Sequence, residues 1–310
     1  MTAAPRFSVV IPAHNAARTL PATVSSVLAQ TRQDFEVLVV DDGSVDGTEV
    51  ALRNATADNR IHYVRQQQLG PAAARNAGIQ RAGGTYVSFL DSDDLWLPHY
   101  LQTMLDALEA DPGAGLAYTD AWRLDDTTKR IYRRSAMASQ APPRSPPREP
   151  DALLQALLEH NFVYTSVTVR RSVLDDVGGF RTLPRSEDYE LWLRVAAHGQ
   201  RFVRTPGLLA VYRDRPGSRI HDPGAMLRGR REIYQLVVDE YEVSPAARRC
   251  AEERLVETER ELAALERGAD GPRRKGRWSS ALLGILGDRR HFYRSPPPPV
   301  AAAFPDLRSL

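Results

Sequence analysis

The alternation of apolar runs with helix-forming segments over the first 90 residues constrains the fold more than any other feature of this chain. Four runs rich in β-branched and aromatic residues predict strands at Phe7–Ile11, Phe35–Val40, Ile61–Arg65 and Thr85–Leu90. Helix-forming segments separate these runs, at residues 16–30, 47–58 and 71–82. Near-continuous apolar runs are typical of strands buried on both faces. The pattern therefore predicts an α/β fold with a mainly parallel sheet flanked by helices.

Polar residues that can take part in binding or catalysis follow three of the four predicted strands. Pro12 to Asn15 follow the first strand, Asp41 to Ser44 the second, and Asp91 to Asp94 the fourth. In sheets of this kind, ligands bind beyond the carboxyl ends of the strands. The three segments together predict one binding site, although a coincidence of polar surface turns would produce the same pattern.

The segment after the fourth strand, LDSDDLW, carries three carboxylates within four residues. Because Asp91, Asp93 and Asp94 repel one another, something must offset their charge. Mg²⁺ or Mn²⁺ bound to phosphate oxygens is one candidate, since these ions often take few protein ligands and complete their shell with substrate phosphate and water. The alternative is a solvated acidic turn that caps the following helix.

The second part of the chain is less regular. We expect further helices at residues 98–110 and 151–160 and strands at 115–124, 163–170, 202–203 and 208–212. Residues 134–150 contain five prolines and few apolar residues, which indicates either a linker or a flap over the site. Another helix is expected to begin near Ser186.

Two further sets of charged residues have both a structural and a functional interpretation. Asp188, in the pair Glu187–Asp188, is favoured electrostatically at a helix start, but it could also act as a general base towards an incoming hydroxyl. Arg75 and Arg81, on the third predicted helix, either contact a diphosphate or face solvent.

The C-terminal third has a different composition. Residues 223–267 read as polar helices, and residues 271–294 hold seven basic side chains and one acidic side chain around an apolar stretch. Such a basic amphipathic segment either lies on an anionic membrane surface or packs on its own domain. Residues 295–310 are expected to form a disordered, proline-rich tail.

Composition limits the classes of protein that remain. With 310 residues, 42% of them hydrophobic, and a net charge of +2, the chain can bury a large core and gives no sign of a nucleic-acid partner. A single cysteine, Cys250, excludes an internal disulfide framework. The absence of a signal-peptide pattern and of a membrane-spanning run predicts a cytoplasmic protein, at most attached to the inner face of a membrane.

Four segments in this order resemble family 2 glycosyltransferases of the GT-A fold, over about Phe7 to Tyr212. They are SVVIPAHNAARTLPATVSSVLAQT, FEVLVVDDGSVDGT, GPAAARNAGIQRAGGTYVSFLDSDD and SEDYELWLRVAAHG. The resemblance implies a GT-A-type nucleotide-diphospho-sugar transferase fold with a helical C-terminal extension. It divides the chain into a catalytic domain at 1–222 (nucleotide-binding half 1–97, acceptor-binding half 98–222), an extension at 223–294 and a tail at 295–310.

The resemblance also implies an activity. It predicts transfer of a sugar from a nucleotide donor, a UDP- or dTDP-sugar, to a hydroxyl of a glycan or lipid-linked acceptor, with inversion and with Mn²⁺ or Mg²⁺. Assembly of cell-envelope glycans is the expected setting. The physical logic parallels that of inverting hydrolases, with an acceptor hydroxyl replacing water.

Individual roles are carried over by the matching residues. On the donor side, Pro12, Ala13 and Asn15 would lie beside the nucleoside, Asp42 would hydrogen-bond the nucleobase, and Arg75 would approach the nucleotide. Asp91 would contact the ribose or donor sugar, and Asp93 would ligate the metal. Asp188 would be the general base that deprotonates the acceptor hydroxyl. Glu187, Trp192 and Arg215 are expected on the acceptor side or in support.

Two features depart from the family pattern. Many relatives carry a histidine in a YRxHxxS-like segment, whereas this chain reads YRDRPGS with Arg215 at that position. The substitution leaves open whether there is a further protein ligand for the metal or whether Arg215 meets the diphosphate. The QxxRW motif of processive members is missing, because Arg277–Trp278 lacks the glutamine, so a single-addition enzyme is expected.

Other classes of protein fit the sequence less well. A sugar-nucleotide pyrophosphorylase would need a glycine-rich loop after the first strand, and PAHNAARTL has no glycine. A receiver domain is shorter and would not explain the Glu187–Asp188 helix. A non-catalytic nucleotide-sugar-binding or scaffold protein of the same fold is the main alternative, and the presence of Asp93 and Asp188 speaks against it.

Overall fold

The computed structural model describes residues 4–139, 143, 145–164, 166–215, 222–267, 292–293 and 295–305. The strands are β1 (Phe7–Ala13), β2 (Phe35–Asp42), β3 (Ile61–Gln66), β4 (Tyr86–Phe89), β5 (Leu95–Trp96), β6 (Ala114–Asp125), β7 (Arg130–Ile131), β8 (Val167–Arg170) and β9 (Arg201–Asp214). The helices are α1 (Leu20–Leu28), α2 (Thr48–Ala55), α3 (Pro71–Arg81), α4 (Tyr100–Ala110), α5 (Pro150–Glu159), α6 (Arg171–Val177), α7 (Glu187–Ala197), α8 (Pro223–Glu240), α9 (Pro245–Glu266) and α10 (Pro298–Ala303).

All the strands belong to one mixed sheet, in the order β3-β2-β1-β4-β8-β6-β9-β5, with β7 paired to β6. The four strands predicted from the first 90 residues are mutually parallel, and β8 runs antiparallel between β4 and β6. Strand β6 then pairs in parallel with β9 along its length. The expected α/β fold with a mainly parallel sheet is confirmed. The carboxyl ends of β1, β2 and β4 lie side by side.

Helix boundaries in the first half differ from the predicted ones at the amino ends. Helix α1 begins at Leu20, not at residue 16. Asn15 adopts a φ of 50°, and its Oδ1 accepts a hydrogen bond from the Val45 backbone N–H. Helix α2 begins at Thr48, after Gly47. In both places the chain first forms a polar turn at the strand end and starts the helix several residues later.

The region after the acidic cluster also differs from the prediction. The residues after Asp94 form the short strand β5, which pairs with β9, and α4 begins only at Tyr100. Asp94 therefore does not cap a helix. Its Oδ1 accepts a hydrogen bond from the Arg213 backbone N–H at 2.9 Å, so the cluster is joined to β9.

Strand β9 is a single strand where the sequence predicted two. Pro206 and Gly207 interrupt the apolar pattern, but Gly207 takes a φ of 84°, and the ladder with β6 shifts register between Tyr118 and Ala121. Strand β8 is shorter than expected. Helix α6, which is only seven residues long, was not predicted.

Two apolar cores lie on opposite faces of the sheet. Alternate residues of β1 point into each, with Val9 and Ile11 on one face and Val10 on the other. Helices α8 and α9 contribute buried residues, including Val237 and Ala251, to the core that also holds leucines of α5 and α7. The predicted helical extension is thus present and packs on the sheet domain, while the proposed domain boundaries stay a prediction. None of the described helices is both long and apolar enough to cross a bilayer.

The C-terminal tail is not disordered over its described residues, so that expectation is wrong there. Residues Pro298–Ala303 form α10, and Val300 is fully buried in a cluster with residues of β5, β6, β7 and β9. Tyr293 lies edge-to-face against Trp122. Prolines at the first turn of a helix lack only an N–H that has no helical partner, which is why this proline run can start a helix. The predicted basic segment 271–294 lies outside the described residues, apart from Phe292 and Tyr293.

Candidate active site

The ends of β1 and β2 form the first wall of the site. Ala13 lies opposite Asp41 in the parallel ladder, and Pro12 and Ala13 are buried. Asn15 is exposed, and its backbone N–H donates to Ser44 Oγ at 2.8 Å. The structure therefore brings the residues predicted at these two strand ends together. His14 and Asn15 are exposed, whereas Pro12 and Ala13 are not.

Asp42 joins the end of β2 to the start of α3. Its Oδ1 accepts hydrogen bonds from Gln66 Nε2 and the Leu69 N–H, and its Oδ2 accepts one from the Gly70 N–H, each at 2.8 Å. An ionised carboxylate offers about four acceptor sites. Three are used here, so the carboxylate has capacity for about one more donor. Asp41 is fully buried and is bonded to the Ser44 N–H and the Tyr63 hydroxyl.

Arg75 joins two parts of the site that are far apart in sequence. One guanidinium nitrogen donates to Asp91 Oδ1 at 2.7 Å and another to Glu187 Oε1 at 2.8 Å. The side chain is buried, and its guanidinium carbon lies 5.3 Å from the centre of the Phe180 ring. The acidic segment after β4 and the first turn of α7 thus share one cation. Arg81, on the same helix, is exposed and donates to the Ala77 carbonyl.

Arginines from β9 and the residue after it hold the acidic cluster. The Arg215 Nε lies 2.9 Å from Asp93 Oδ2. Arg213 is fully buried, and its side chain donates to the Asp93 carbonyl at 2.7 Å and to Asp126 Oδ1 at 3.0 Å. Together with its backbone bond to Asp94, Arg213 fixes the loop from the inside, while Arg215 contacts the carboxylate that was predicted to bind metal.

Burial and neighbouring charges shift the pKa values of the carboxylates Asp93 and Asp188. Burial raises the pKa of Asp93, and the nearby Asp91 adds to the rise, while Arg215 and Arg213 oppose it. Burial also raises the pKa of Asp188 to about 6, with Glu187 adding to the rise and Arg75 opposing it. A carboxylate with a pKa near the working pH can both accept and release a proton, which suits a general base.

The supporting residues of α7 differ in their surroundings. Glu187 is buried and bonded to Arg75, whereas Asp188, in the same turn, is partly exposed. Trp192 is fully buried and lies edge-to-face against Phe180. Trp192 therefore supports the helix from within the core and presents no surface to an acceptor. Ser186 stands at the helix start with a φ of 58°, but its hydroxyl forms no capping bond.

Sequence reasoning missed three residues of this region. His14 bonds the Asp42 carbonyl through Nδ1 at 2.8 Å, and Arg213 and Asp126 form the buried ion pair behind the acidic loop. The available signal was the spacing of Arg213, in β9, and Arg215, just after it, since residues two apart along an extended chain face the same side.

The donor set suits a hard divalent cation that keeps few protein ligands. Among the described residues, no group of three or more His, Cys, Asp or Glu side chains is positioned to hold a metal ion. Mg²⁺ and Mn²⁺ are commonly bound through one or two carboxylates, with water and substrate phosphate completing the shell. Asp93, with its carboxylate neighbour Asp91, fits that requirement, and Arg215 supplies positive charge to the same carboxylate.

Comparison with solved structures gives the fold class. The chain aligns with S. aureus TarS 1–349 in complex with UDP-GlcNAc at a TM-score of 0.63 and 17% identity, over 98% of this chain and 83% of that one. It aligns with the mannosyltransferase PcManGT from Pyrobaculum calidifontis, in complex with GDP-Man and Mn²⁺, at a TM-score of 0.61 and 20% identity, over 92% and 79% of the two chains. The fold is the one that these glycosyltransferases share.

The family follows from the sequence comparison. The model for glycosyl transferase family 2 matches residues 8–178, and the chain belongs to that family. It is 33% identical over 219 residues to the succinoglycan biosynthesis protein ExoO of Rhizobium meliloti, covering 69% of this chain and 62% of ExoO. It is 31% identical over 216 residues to the amylovoran biosynthesis glycosyltransferase AmsB of Erwinia amylovora, covering 66% of this chain and 69% of AmsB. It spans only 17% to 18% of the length of three uncharacterised glycosyltransferases from Rickettsia species.

Proposed function

We propose that this chain transfers a sugar from a nucleoside-diphosphate donor to a hydroxyl group of a glycan or lipid-linked acceptor, with inversion at the anomeric carbon. The observation that carries the proposal is the pair of bonds from Arg75 to Asp91 and Glu187. These bonds link the acidic end of β4, which suits a donor diphosphate and its cation, to the helix that carries Asp188.

The donor side is formed by the strand ends. Pro12, Ala13 and Asn15 border the nucleoside, and Asp42 accepts a hydrogen bond from the base with its remaining acceptor capacity. Asp91 contacts the ribose or the sugar. The structures of TarS with UDP-GlcNAc and of PcManGT with GDP-Man support a nucleotide-sugar donor of this class. Between nucleotides, we favour UDP or dTDP.

The transfer itself needs one proton acceptor. Asp188 removes the proton of the acceptor hydroxyl as that oxygen attacks the anomeric carbon from the face opposite the leaving nucleoside diphosphate. One displacement forms the new glycosidic bond, breaks the bond to the diphosphate and inverts the centre, with no nucleophile from the protein. A divalent cation held by Asp93 would act as a Lewis acid that stabilises the charge of the leaving diphosphate.

The biological setting is also a proposal. ExoO is named for succinoglycan biosynthesis and AmsB for amylovoran biosynthesis. TuaG of Bacillus subtilis, 43% identical over 104 residues, is named for teichuronic acid biosynthesis. These names support a role in assembling glycans of the cell envelope. The scaffold alternative has no observation in its favour, because the proposed metal ligand Asp93 and the proposed base Asp188 are both present.

The decisive experiment is a panel of UDP, dTDP and GDP and of their sugars, each with and without Mn²⁺, measured by the shift in unfolding temperature. A ligand at 100 times its Kd raises the free energy of unfolding by about 2.7 kcal/mol. We expect UDP or dTDP compounds to stabilise the protein more in the presence of Mn²⁺. If no nucleoside diphosphate or nucleotide-sugar stabilises it, with or without metal, the donor site is wrong.

The cation role of Asp93 has its own prediction. In Asp93→Ala, the gain in nucleoside-diphosphate affinity on adding Mn²⁺ should fall by about 1.4 kcal/mol or more, a factor of ten, because the protein ligand of the ion is lost. Titration calorimetry with and without Mn²⁺ measures that gain. Asp106→Ala, an exposed change on α4, is the matched control. An equal Mn²⁺-dependent gain in Asp93→Ala and the native protein would exclude Asp93 as ligand.

A further inference from the structure

Helix α3 contacts the segment before α7 through two consecutive side chains. Asn76 Nδ2 donates to the Phe180 carbonyl and its Oδ1 accepts from the Phe180 N–H, each at 2.7 Å. A Cβ atom added at Gly179 would clash with the Asn76 side chain, so the glycine permits the close approach. Arg75, one residue earlier, packs over the Phe180 ring and reaches on to Glu187. Helix α3 is therefore a platform against which the chain entering α7 is held.

The guanidinium of Arg75 forms its bonds within the protein, to two carboxylates. Its side chain is 5% exposed, and its two terminal nitrogens each bind a carboxylate, one from Asp91 and one from Glu187. A planar guanidinium with several fixed donors can hold two carboxylates at a defined separation, which a flexible ammonium group cannot do as well. Because the side chain is only 5% exposed, its guanidinium would have to swing outward to reach a diphosphate, and that movement would break both bonds and leave two carboxylates close together without their shared cation.

The charges around this guanidinium include the proposed base. Burial opposes the charged form of Arg75, but Asp91, Glu187 and Asp188 outweigh it and raise the pKa of Arg75. Removing one member of a buried, hydrogen-bonded ion pair is strongly unfavourable, because the remaining charge is left buried without compensation. The arrangement thus has one favoured geometry, in which Asp91 and the first turn of α7 are fixed relative to each other.

We infer that Arg75 is a positioning residue that sets the first turn of α7, and with it the base Asp188, against the donor-contacting Asp91, and that it is not a ligand of the nucleotide phosphates. The inference rests on the proposed function for the roles of Asp91 and Asp188. It replaces the expectation that Arg75 approaches the nucleotide. It also explains why Glu187, beside the base, is buried: its carboxylate is the anchor by which α3 holds α7.

The test compares Arg75→Gln with Arg81→Gln, the same substitution on the same helix at an exposed position. A misplacement of a catalytic group by about 1 Å can cost about 10²-fold in rate, so we expect Arg75→Gln to lower kcat by about that factor. The KM for the donor should change by less than about threefold, because no phosphate contact is lost. Arg81→Gln should leave both constants unchanged.

The pH profile separates positioning from a loss of general stability. The charged groups facing Asp188 are Glu187 on its own helix, Arg75 on α3 and Asp91 after β4. Since Arg75 is the cation among them, Arg75→Gln should move the acidic limb of the kcat profile to higher pH. Arg75→Lys should restore the position of that limb but recover only part of kcat, because an ammonium group keeps the charge but not the two fixed bonds.

A measurement that needs no turnover tests the contacts of Arg75 independently of the proposed function. In Arg75→Gln, amide hydrogen exchange should become faster at residues 180–190 and stay unchanged in β1 and β2, and UDP affinity by calorimetry should stay within about threefold. Should Arg75→Gln fail to fold, Glu187→Gln removes the same bond from the other side and should give the same pattern. If the native protein turns over no donor, the proposed function fails. The exchange result still shows whether the bonds from Arg75 to Asp91 and Glu187 hold α7 in place.

Two outcomes would overturn the inference. One is a loss of UDP affinity of about tenfold or more in Arg75→Gln with kcat unchanged, which would make Arg75 a phosphate ligand. The other is an unchanged exchange rate at residues 180–190 in both Arg75→Gln and Glu187→Gln, which would show that the contacts do not hold α7.

Discussion

Asp188→Asn is expected to lower turnover by about 10²- to 10⁴-fold while the affinity for the donor stays unchanged, since a general base contributes about that factor. The substitution keeps the size and shape of the side chain but removes its ability to accept the proton of the acceptor hydroxyl. Initial rates of nucleoside-diphosphate release give the turnover, and calorimetry with UDP gives the donor affinity. Asp176→Asn, an exposed change on the neighbouring helix α6, is the matched control.

The stability of Asp188→Asn distinguishes a catalytic loss from unfolding. The pKa of Asp188 is raised from its ordinary value to about 6, so the charged form is disfavoured in the folded protein at neutral pH. A group with a raised carboxyl pKa makes the folded state more stable as the pH falls through 6, and less stable as it rises. The neutral amide avoids that cost, so Asp188→Asn should unfold at the same or a higher temperature at pH 7. Turnover retained in this variant would remove Asp188 as the base.

The same pKa predicts the pH dependence of the native protein. Because the base must be ionised to accept a proton, kcat/KM should fall as the pH decreases through about 6, the pKa of Asp188 in the ligand-free protein. An unperturbed aspartate would keep its activity down to about pH 4. Measuring kcat/KM for the acceptor from about pH 3.5 to pH 8 at saturating donor locates the limb. A limb near pH 4 would mean that another group, or an exposed carboxylate, accepts the proton.

Glu190→Ala is expected to lower the free energy of unfolding by about 3–5 kcal/mol, the usual cost of removing one partner of a buried ion pair. Glu190 is fully buried on α7, where Arg194 donates to both of its oxygens, at 2.9 and 3.0 Å. The Tyr241 hydroxyl donates to Oε1 at 2.6 Å, and Arg181 lies 3.3 Å from the same oxygen. Truncation would leave the Arg194 guanidinium buried without its counter-charge and would release the end of α8 from α7.

Urea unfolding followed by circular dichroism measures this loss. Glu190→Gln, which keeps an acceptor for Tyr241 but loses the charge, should lose less free energy of unfolding than Glu190→Ala. Glu252→Ala, at an exposed position on α9, should change the free energy by no more than about 0.5 kcal/mol. A loss below about 1 kcal/mol for Glu190→Ala would show that the network contributes little, and that α7 is held by its apolar contacts alone.

The first half of the fold was predictable because its signals are local. The strands β1 to β4 are continuous apolar runs, each within one or two residues of its predicted bounds, and the polar residues that follow β1, β2 and β4 do meet at one edge of the sheet. Parallel neighbours with their carboxyl ends aligned require that meeting, whatever the loops do. Helix starts were less predictable, because Asn15 and Gly47 take up left-handed turns first.

Elements held by distant contacts were harder to predict. Helix α10 looked like a disordered tail, since nothing near Val300 in sequence shows that β5, β6, β7 and β9 form an apolar site for it. Strand β9 looked like two strands, because its continuity depends on a long parallel ladder with β6 that absorbs Pro206 and Gly207. In each case the element is stabilised by contacts with residues that are distant in sequence, which a local sequence pattern does not show.

The family, the parallel half of the sheet and the types of side chain at the site could be predicted from the sequence, because each depends on a short, continuous segment. How those side chains are connected could be learned only from the folded chain. Glu187 lies 112 residues from Arg75 in the chain, yet the two share a buried ion pair, and Arg213 closes the acidic loop from 119 residues away. Such pairs form because burial leaves a charge or a polar group only the partners that folding brings to it.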